Sequence, residues 1–539
     1  MYNITRVKSN LLATAAFLGA LILLFAPATA SVLADAPWSA NVKVNDVVPP
    51  WGESPHIAVD EAGNAYALWI DNRDPLTRSD IYFAYRPAGG NWGANVKVND
   101  DTGKDSQLYP DIAVDGAGNA YAIWIDWRAH YPRCDIYFAY RPAGGDWGAN
   151  ERVNDYTSTV CYFDAPAIAM DGSGNAYAVW DDQRSEGHHI YFAYRPAGGN
   201  WSTSSRVDDE AGSGCRIPDI AVDAAGNAYA IWADRRAIFR TDIYFVYRPA
   251  GDSWGASAKV NDVSVSDGPV APAIAIDGMG NAYAVWTDFR NVSSRWADIY
   301  FAYRPAGGQW GPNVRVNDDT GRADQVEPGI AVDTTGNAYA VWLDFRNDPD
   351  GYWDGPINNA DIYSAYRPVG GNWGPNERVN DDTGTALQEI PSIAVDGAGN
   401  TYAVWEDNRN GAGDIYFAYR PAEGPIQATV DIDPNTLNLK SKGKWIAAYI
   451  ELPKGYEVDD IDVSTVLLED TIPAELHPTE VGDYDEDGIS DLMVKFDRQA
   501  LIESLDGTTG EVTLTVSGEL VAGTSFEGSD TVTVVNRGR

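Results

Sequence analysis

The chain repeats one unit seven times and carries the last piece of the seventh unit at its own start. Each unit reads, with local variation, IAVDxxGNAYAxWxDxR, then DIYFAYRPAGG, then Trp and a stretch close to NVKVND. The GN asparagines are Asn64, Asn119, Asn175, Asn227, Asn281, Asn337 and Asn400, spaced 55, 56, 52, 54, 56 and 63 residues apart. The seventh copy runs through Tyr419, Arg420, Pro421 and Ala422 and lacks its Trp–NVKVND piece. That piece stands ahead of the first copy, as Trp38 and Asn41-Val42-Lys43-Val44-Asn45-Asp46. A permuted repeat of this kind suits a ring, whose N-terminal strand completes the last unit. A parallel solenoid, the main rival, has no use for a displaced strand.

Each unit carries four strand signals. In the second copy these are Ile112–Asp115, Ala120–Asp126, Asp135–Arg141 and Glu151–Val153. The Gly116-Ala117-Gly118-Asn119 turn separates the first two, because such turns need Gly or Asn where φ is positive. Four strands in a period near 55 residues, seven times over, predict an all-β fold. It is a seven-bladed β-propeller of four-stranded blades, closed by the N-terminal strand, spanning residues 31–424. Along the second strand of copy three, Ala178, Trp180, Asp182 and Arg184 share one face and Tyr177 and Val179 the other. Both faces carry large side chains, so each sheet packs between two neighbours.

The D-x-x-G-N-x-Y turn followed by a Trp strand resembles the turns of bacterial β-propeller repeats. It is also similar to the Asp-box of sialidase-like propellers, S-x-D-x-G-x-x-W, with Ala113 in the Ser position before Asp115 and one extra residue before the Gly. The resemblance implies a propeller fold. For a sialidase-like glycoside hydrolase it would further imply three arginines gripping a carboxylate, a Tyr–Glu nucleophile pair and an acid Asp. Here every copy has an arginine two residues after an aspartate. The arginines are Arg73, Arg128, Arg184, Arg236, Arg290, Arg346 and Arg409, and the aspartates Asp71, Asp126, Asp182, Asp234, Asp288, Asp344 and Asp407. A catalytic triad breaks symmetry and these pairs obey it, so they read as structural clamps, since buried charges need partners. No unique Tyr–Glu pair stands out, and no catalytic residue is assigned. The recurring GGxW tryptophans (Trp92, Trp147, Trp201, Trp254, Trp310 and Trp373) read as packing residues.

Symmetry breaks in the connections, where function commonly sits on rigid scaffolds. Loops between second and third strands and crossovers between copies share one face. They bring Trp127, His130, Tyr131, Tyr156, Tyr162, His188, His189, Trp296, Tyr352, Trp353 and Asp354 to a candidate ligand-binding rim, with Tyr109, Phe163 and Phe239 nearby. An aromatic and acidic rim of this composition binds a glycan or a protein loop, or else packs on itself. His188, His189 and Cys215 form a minor candidate for a metal, although adjacent strand residues point to opposite faces. Cys134 and Cys161 lie on that face beside one blade and are expected to form a disulfide, with Cys215 left free.

After Gly424-Pro425 the repeat vanishes. Residues 427–535 carry six strand signals and a helix at Arg498–Ser504, which predicts a small β-sandwich. Within it, Asp483, Asp485, Asp487 and Asp491 take positions 1, 3, 5 and 9 of a loop with Gly488 at 6. This is the ligand spacing of a calcium loop, with the Ile489 carbonyl supplying position 7. Strand-like flanks make the segment similar to the calcium β-hairpin loops of FG-GAP-type modules, and calcium is the expected cofactor.

The chain has 78 acidic and 39 basic side chains, a formal charge of −39. Phosphate backbones repel such a surface, so nucleic acid is excluded as a partner. Residues 1–30 read as a cleaved secretory signal, with Arg6 and Lys8, the apolar run Leu11 to Phe25, and the small-residue site Ala28-Thr29-Ala30. No later segment is apolar enough to span a membrane. The sequence thus predicts a secreted or cell-surface propeller that binds glycans or proteins and carries a calcium-stabilised accessory domain. A sialidase-like glycoside hydrolase is the alternative.

Overall fold

In each copy the local sequence dictates where the chain turns. Asp60 Oδ1 accepts the amide protons of Ala62 (3.1 Å) and Asn64 (2.9 Å), and Asp60 Oδ2 accepts from Asn64 Nδ2 (2.9 Å) and Tyr66 Oη (3.0 Å). Gly63 sits at φ +78°, and a Cβ there would lie 2.8 Å from Tyr402 Oη of the neighbouring unit. Both the dihedral and the close approach exclude a side chain.

The computed structural model describes residues 38–536 apart from 47–51, 74–78, 130–132, 157–164, 186, 210–213, 238–239, 264–269, 291–295, 349–350, 352–358, 412, 423, 454–455, 486, 506 and 522–524. The turns just described join seven four-stranded antiparallel sheets. Blade one runs Gly52–Val59, Ala65–Asp71, Asp80–Arg86, Val96–Lys97 from the ring axis outward, and blades two to six follow the same order. Blade seven is built of Gln388–Val395, Thr401–Asp407 and Asp414–Arg420, and its outer strand is the N-terminal Val42–Lys43. Val42 lies opposite Phe417 and Lys43 opposite Tyr416. The inner strand of each blade packs on that of the next, and blade seven packs back onto blade one. The ring is therefore a seven-bladed propeller closed by a strand from the chain's start.

The second strands form the core. Trp69, Trp124, Trp180, Trp232, Trp286, Trp342 and Trp405 are all fully buried in the seams between blades. The GGxW tryptophans also pack between blades: Trp92 meets Phe417 edge to face at 5.2 Å, and Trp147 meets Phe83 likewise. Arg86 covers the other side of Phe417, 5.0 Å from the ring centre. Blade six has Ser364 where its neighbours have this Phe, and Trp38 Nε1 donates to its hydroxyl at 3.0 Å.

The inner strands differ from expectation. In blade two the strand starts at Gln107, not at Ile112, and passes through a bulge between Leu108 and Asp111. A proline there cannot donate to the ladder, which an edge strand facing the channel tolerates.

The C-terminal unit is a β-sandwich. One sheet orders Thr429–Asp433, Trp445–Glu451, Asp491–Asp497 and Glu480–Gly482; the other is built on the long hairpin Gly510–Leu520 and Ser525–Val535. Ile432, Ile450, Val494 and Phe496 of the first meet Val466, Leu514, Val516 and Val532 of the second in one core. The helix Arg498–Ser504 begins where Asp497 accepts from the amides of Gln499 and Ala500. Among the described residues, no helix is long and apolar enough to cross a membrane.

Candidate functional site

The repeated charges are consumed by the architecture. Arg73 donates from Nη2 to Asp71 (2.7 Å) and from Nη1 to Asp46 (3.0 Å), so it bridges its own blade to the outer strand of the preceding one. Trp69 Nε1 donates to the same Asp71 (3.1 Å), and the guanidinium stacks 3.9 Å over Tyr82. Arg128, Arg184, Arg290, Arg346 and Arg409 repeat this bridge to Asp100, Asp155, Asp262, Asp318 and Asp381. The Arg236 side chain lies outside the described residues. Six arginines are thus fixed between blades.

The expected rim is only partly within the described residues: His130, Tyr131, Tyr162, Phe163, Phe239, Tyr352, Trp353 and Asp354 lie outside them. Tyr156 is exposed, with the Arg184 guanidinium 5.5 Å from its ring. Trp296 lines a cavity of about 330 Å³ with Arg315, Asp319, Arg322 and Gln325. Trp127 is half-buried and packs on the core between blades two and three. His189 is a correction: it is buried, so it cannot present a ligand surface. It points into the seam, with Nδ1 2.9 Å from Asp208 Oδ2, while His188 Nδ1 lies 2.9 Å from Asp181 Oδ2.

Burial of His189 follows from a coordinated exchange. Other blades place an Asp, an Asn and often a Gln here; Asn99, for example, donates to Asp80 (2.8 Å) and to Gln107 (2.9 Å). In this seam His189, Asp208 and Cys215 occupy those positions, and Ile190 N donates to Asp208 as Ile81 N does to Asn99. His189, Asp208 and Cys215 approach within 4.8 Å of one another, and Arg206 also binds Asp208. The polar network is therefore preserved with its charges redistributed. Cys134 is disulfide-bonded and Cys215 is a buried free thiol; Cys161 lies outside the described residues.

The channel breaks the symmetry. One ring of inner-strand positions reads His56, Asp111, Ala167, Asp219, Ala273, Gly329 and Ser392 from blade one to blade seven. Asp111 accepts the amide protons of Ile112 and of Ile168 in the next blade, each at 2.8 Å, and Asp219 does the same with Ile220 and Ile274. His56 Nδ1 stands 3.2 Å from Asp111 Oδ1. Burial, with Asp111 as a like-charged neighbour, pushes the Asp219 carboxyl up to about 7.

Closer to the mouth, where the inner strands begin, blades six, seven and one contribute Glu327, Glu389 and Glu53. Glu406 of the second strand lies directly across the ladder from Glu389. Burial raises all four carboxyls, Glu327 to about 7 and Glu406 to about 8, and repulsion from neighbouring carboxylates adds to the effect at Glu327, Glu389 and Glu406. Sequence reasoning missed these groups. The available signal was a comparison of one position across copies: Glu406 replaces Ile70, Ile125, Asp181, Ala233, Thr287 and Leu343.

In the sandwich, carboxylate oxygens of Asp483, Asp485 and Asp491 come within 4.8 Å of one another, as do those of Glu451, Asp485 and Asp487. Gly488 takes φ +94°, and its amide donates to Asp483. Glu451 comes from the neighbouring strand, opposite Asp491, a partner that loop spacing alone does not reveal. The Ile489 amide donates to Asp487 at 2.8 Å.

No protein-family model and no curated relative matches the chain. Solved structures align with it at low identity. A polysaccharide lyase aligns at 12% identity over 71% of this chain and 93% of its own, with a TM-score of 0.43. A GH93 alpha-L-arabinofuranosidase of Fusarium graminearum aligns at 11% over 71% and 98%, with a TM-score of 0.42. The NanB sialidase from Streptococcus pneumoniae aligns at 10% over 72% and 70%, with a TM-score of 0.38. At these values the likenesses say nothing of this chain's chemistry, and the propeller stands on its own strand order.

Proposed function

We propose that the chain is a secreted or cell-surface binding module for a glycan or a protein. Its ligand is taken on the face where the inner strands begin. The observation that carries this reading is the division of labour among charges. The symmetric arginines are tied between blades, and the titratable groups that break symmetry gather at the channel mouth. A sialidase-type hydrolase needs arginines free to grip a carboxylate, and six of the repeated ones are committed to clamps. Export rests on the signal-like start of the sequence.

The test is a glycan array and a panel of extracellular proteins, run beside chromogenic glycosides. Binding that weakens when Glu53 and Glu389 become Gln, without turnover of any glycoside, is the expected result. Glycoside turnover lost in the same variants would replace this reading with hydrolysis.

The acidic loop of the sandwich is proposed to hold one calcium ion through Asp483, Asp485, Asp487, Asp491 and the Ile489 carbonyl, with Glu451 as an additional oxygen donor. Such hard oxygen donors suit calcium. Binding to the folded state stabilises it by mass action, so chelation should lower the unfolding temperature of the full chain. Asp485→Ala should abolish that response, and an unchanged transition with and without calcium would refute the site.

A further inference from the structure

We propose that the acidic side of the channel mouth captures the side chain of a lysine or arginine presented by a protein partner. The proposal rests on the binding reading above and names its ligand. It starts from Glu406, which is 8 % exposed. Among the described residues Glu406 has neither a hydrogen bond nor an ion pair, and the groups that act on it are Glu389 and Glu53. A buried carboxyl surrounded by its own kind calls for a cation.

Blade three shows how this fold supplies a partner internally. There the equivalent carboxylate, Asp181, is met by His188 at 2.9 Å from the third strand. In blade seven the position of His188 is Gly413, where a Cβ would stand 2.5 Å from Glu406 Oε1. The internal partner has been deleted, and the Glu406 carboxylate itself occupies the place where that residue's side chain would begin.

The spacing and surroundings select the kind of cation. Glu53, Glu327, Glu389 and Glu406 come from three consecutive blades. Among the described residues their oxygens are not drawn together as tightly as those of the acidic loop. A bare metal ion needs convergent oxygens, whereas an ammonium or guanidinium donates several hydrogen bonds in different directions. Elsewhere the mouth offers Tyr109, Ile217, Ala271 and Ile390, of which Tyr109 and Ile217 are exposed. Apolar wall beside acidic wall matches a long alkyl stem with a charged tip. An amino sugar, hydroxylated all round, finds fewer partners there. The formal charge of −39 also favours encounter with basic partners. Cation binding favours the ionised carboxyls, so protons held by Glu327 and Glu406 near neutral pH leave on binding.

The test uses the full chain and a library of cyclic peptides with one fixed central lysine or arginine. Enriched peptides should bind wild type at least tenfold more tightly than the Glu53→Gln/Glu389→Gln double variant. Replacing the central residue by norleucine or citrulline should cost the same factor. Calorimetry in buffers of different ionisation enthalpy should show proton release. Glu406→Gln should act likewise, and the double variant, altered only at partly exposed positions, keeps the test valid if that protein does not fold. No enrichment, or peptides indifferent to the variants or to the central charge, overturns the proposal. A chitosan hexamer bound in a Glu389-dependent way while the peptides are not also overturns it, yet leaves the mouth as a binding site. Ligands from the arrays that ignore the mouth variants would instead defeat the binding reading itself.

Discussion

Single residues carry the departures from symmetry, and titration exposes them. Glu406, Glu327 and Asp219 keep their protons to about 8, 7 and 7 in the fold, chiefly because burial disfavours the charge. An unfolded chain releases those protons near pH 4. The folded state therefore binds more protons between these limits, and stability falls as pH rises through 7 to 8. Unfolding temperatures measured between pH 5.5 and 8.5 should decline accordingly. The decline should be smaller in Glu406→Gln, by an amount on the order of a few kcal/mol at the alkaline end. An identical slope in wild type and variant would mean that Glu406 is ionised or solvated in the native protein. None of this was legible from one copy of the repeat. The clamp pairs announce themselves by recurring, whereas Glu406 occurs once and Asp219 is matched only by Asp111, and their meaning depends on what the ring brings to its axis.

At the scale of the element, the second and third strands and the helix Arg498–Ser504 follow directly from alternation, turn residues and the Asp497 cap. The inner strand does not, because a period-2 pattern fails across a bulge. Ser54, Tyr109, Ile217, Ala271, Glu327 and Ile390 all take φ between 48 and 55° and all precede a proline. Left-handed backbone in residues other than glycine costs about 1–3 kcal/mol per site and persists only where the surroundings enforce it. Tyr109 is exposed, so Tyr109→Gly removes this strain and little packing. Denaturant unfolding should show a gain of about 1 kcal/mol, while Tyr109→Val should lose stability because a β-branched residue tolerates this dihedral least. Equal losses in both variants would show that the tyrosine ring, not the backbone, holds the bulge. The copies do display the signal, a proline two residues before each IAV-type run, which demotes the preceding segment to an edge.

The whole molecule depends on one short strand. Residues 38–46 touch three blades. Trp38 reaches Ser364 of blade six; Asn41 exchanges hydrogen bonds with Asp381 and accepts from Arg409; Lys43 pairs with Asp414 at 2.6 Å; and Asp46 accepts from Arg73 of blade one. Asn45 also accepts from Ile415 N and donates to Asp414. Seven closely similar seams need a device that fixes where the ring ends. Placing the last outer strand at the opposite end of the chain makes closure a contact between the two ends of the propeller. The displaced NVKVND made this legible at once, because a missing piece and its spare copy match residue for residue. Deleting residues 31–46 strips blade seven of its outer strand and leaves Asp414–Arg420 as an unpaired edge open to other chains. At about 1 kcal/mol for each lost hydrogen bond, the deletion should cost several kcal/mol and favour association through that edge. Light scattering should report the association, and calorimetry a lower, broader transition. A synthetic peptide spanning Trp38–Asp46 added in trans should restore much of both. A deletion variant that stays monomeric with an unchanged transition would mean that the six complete blades and the three-stranded seventh hold the ring without the latch.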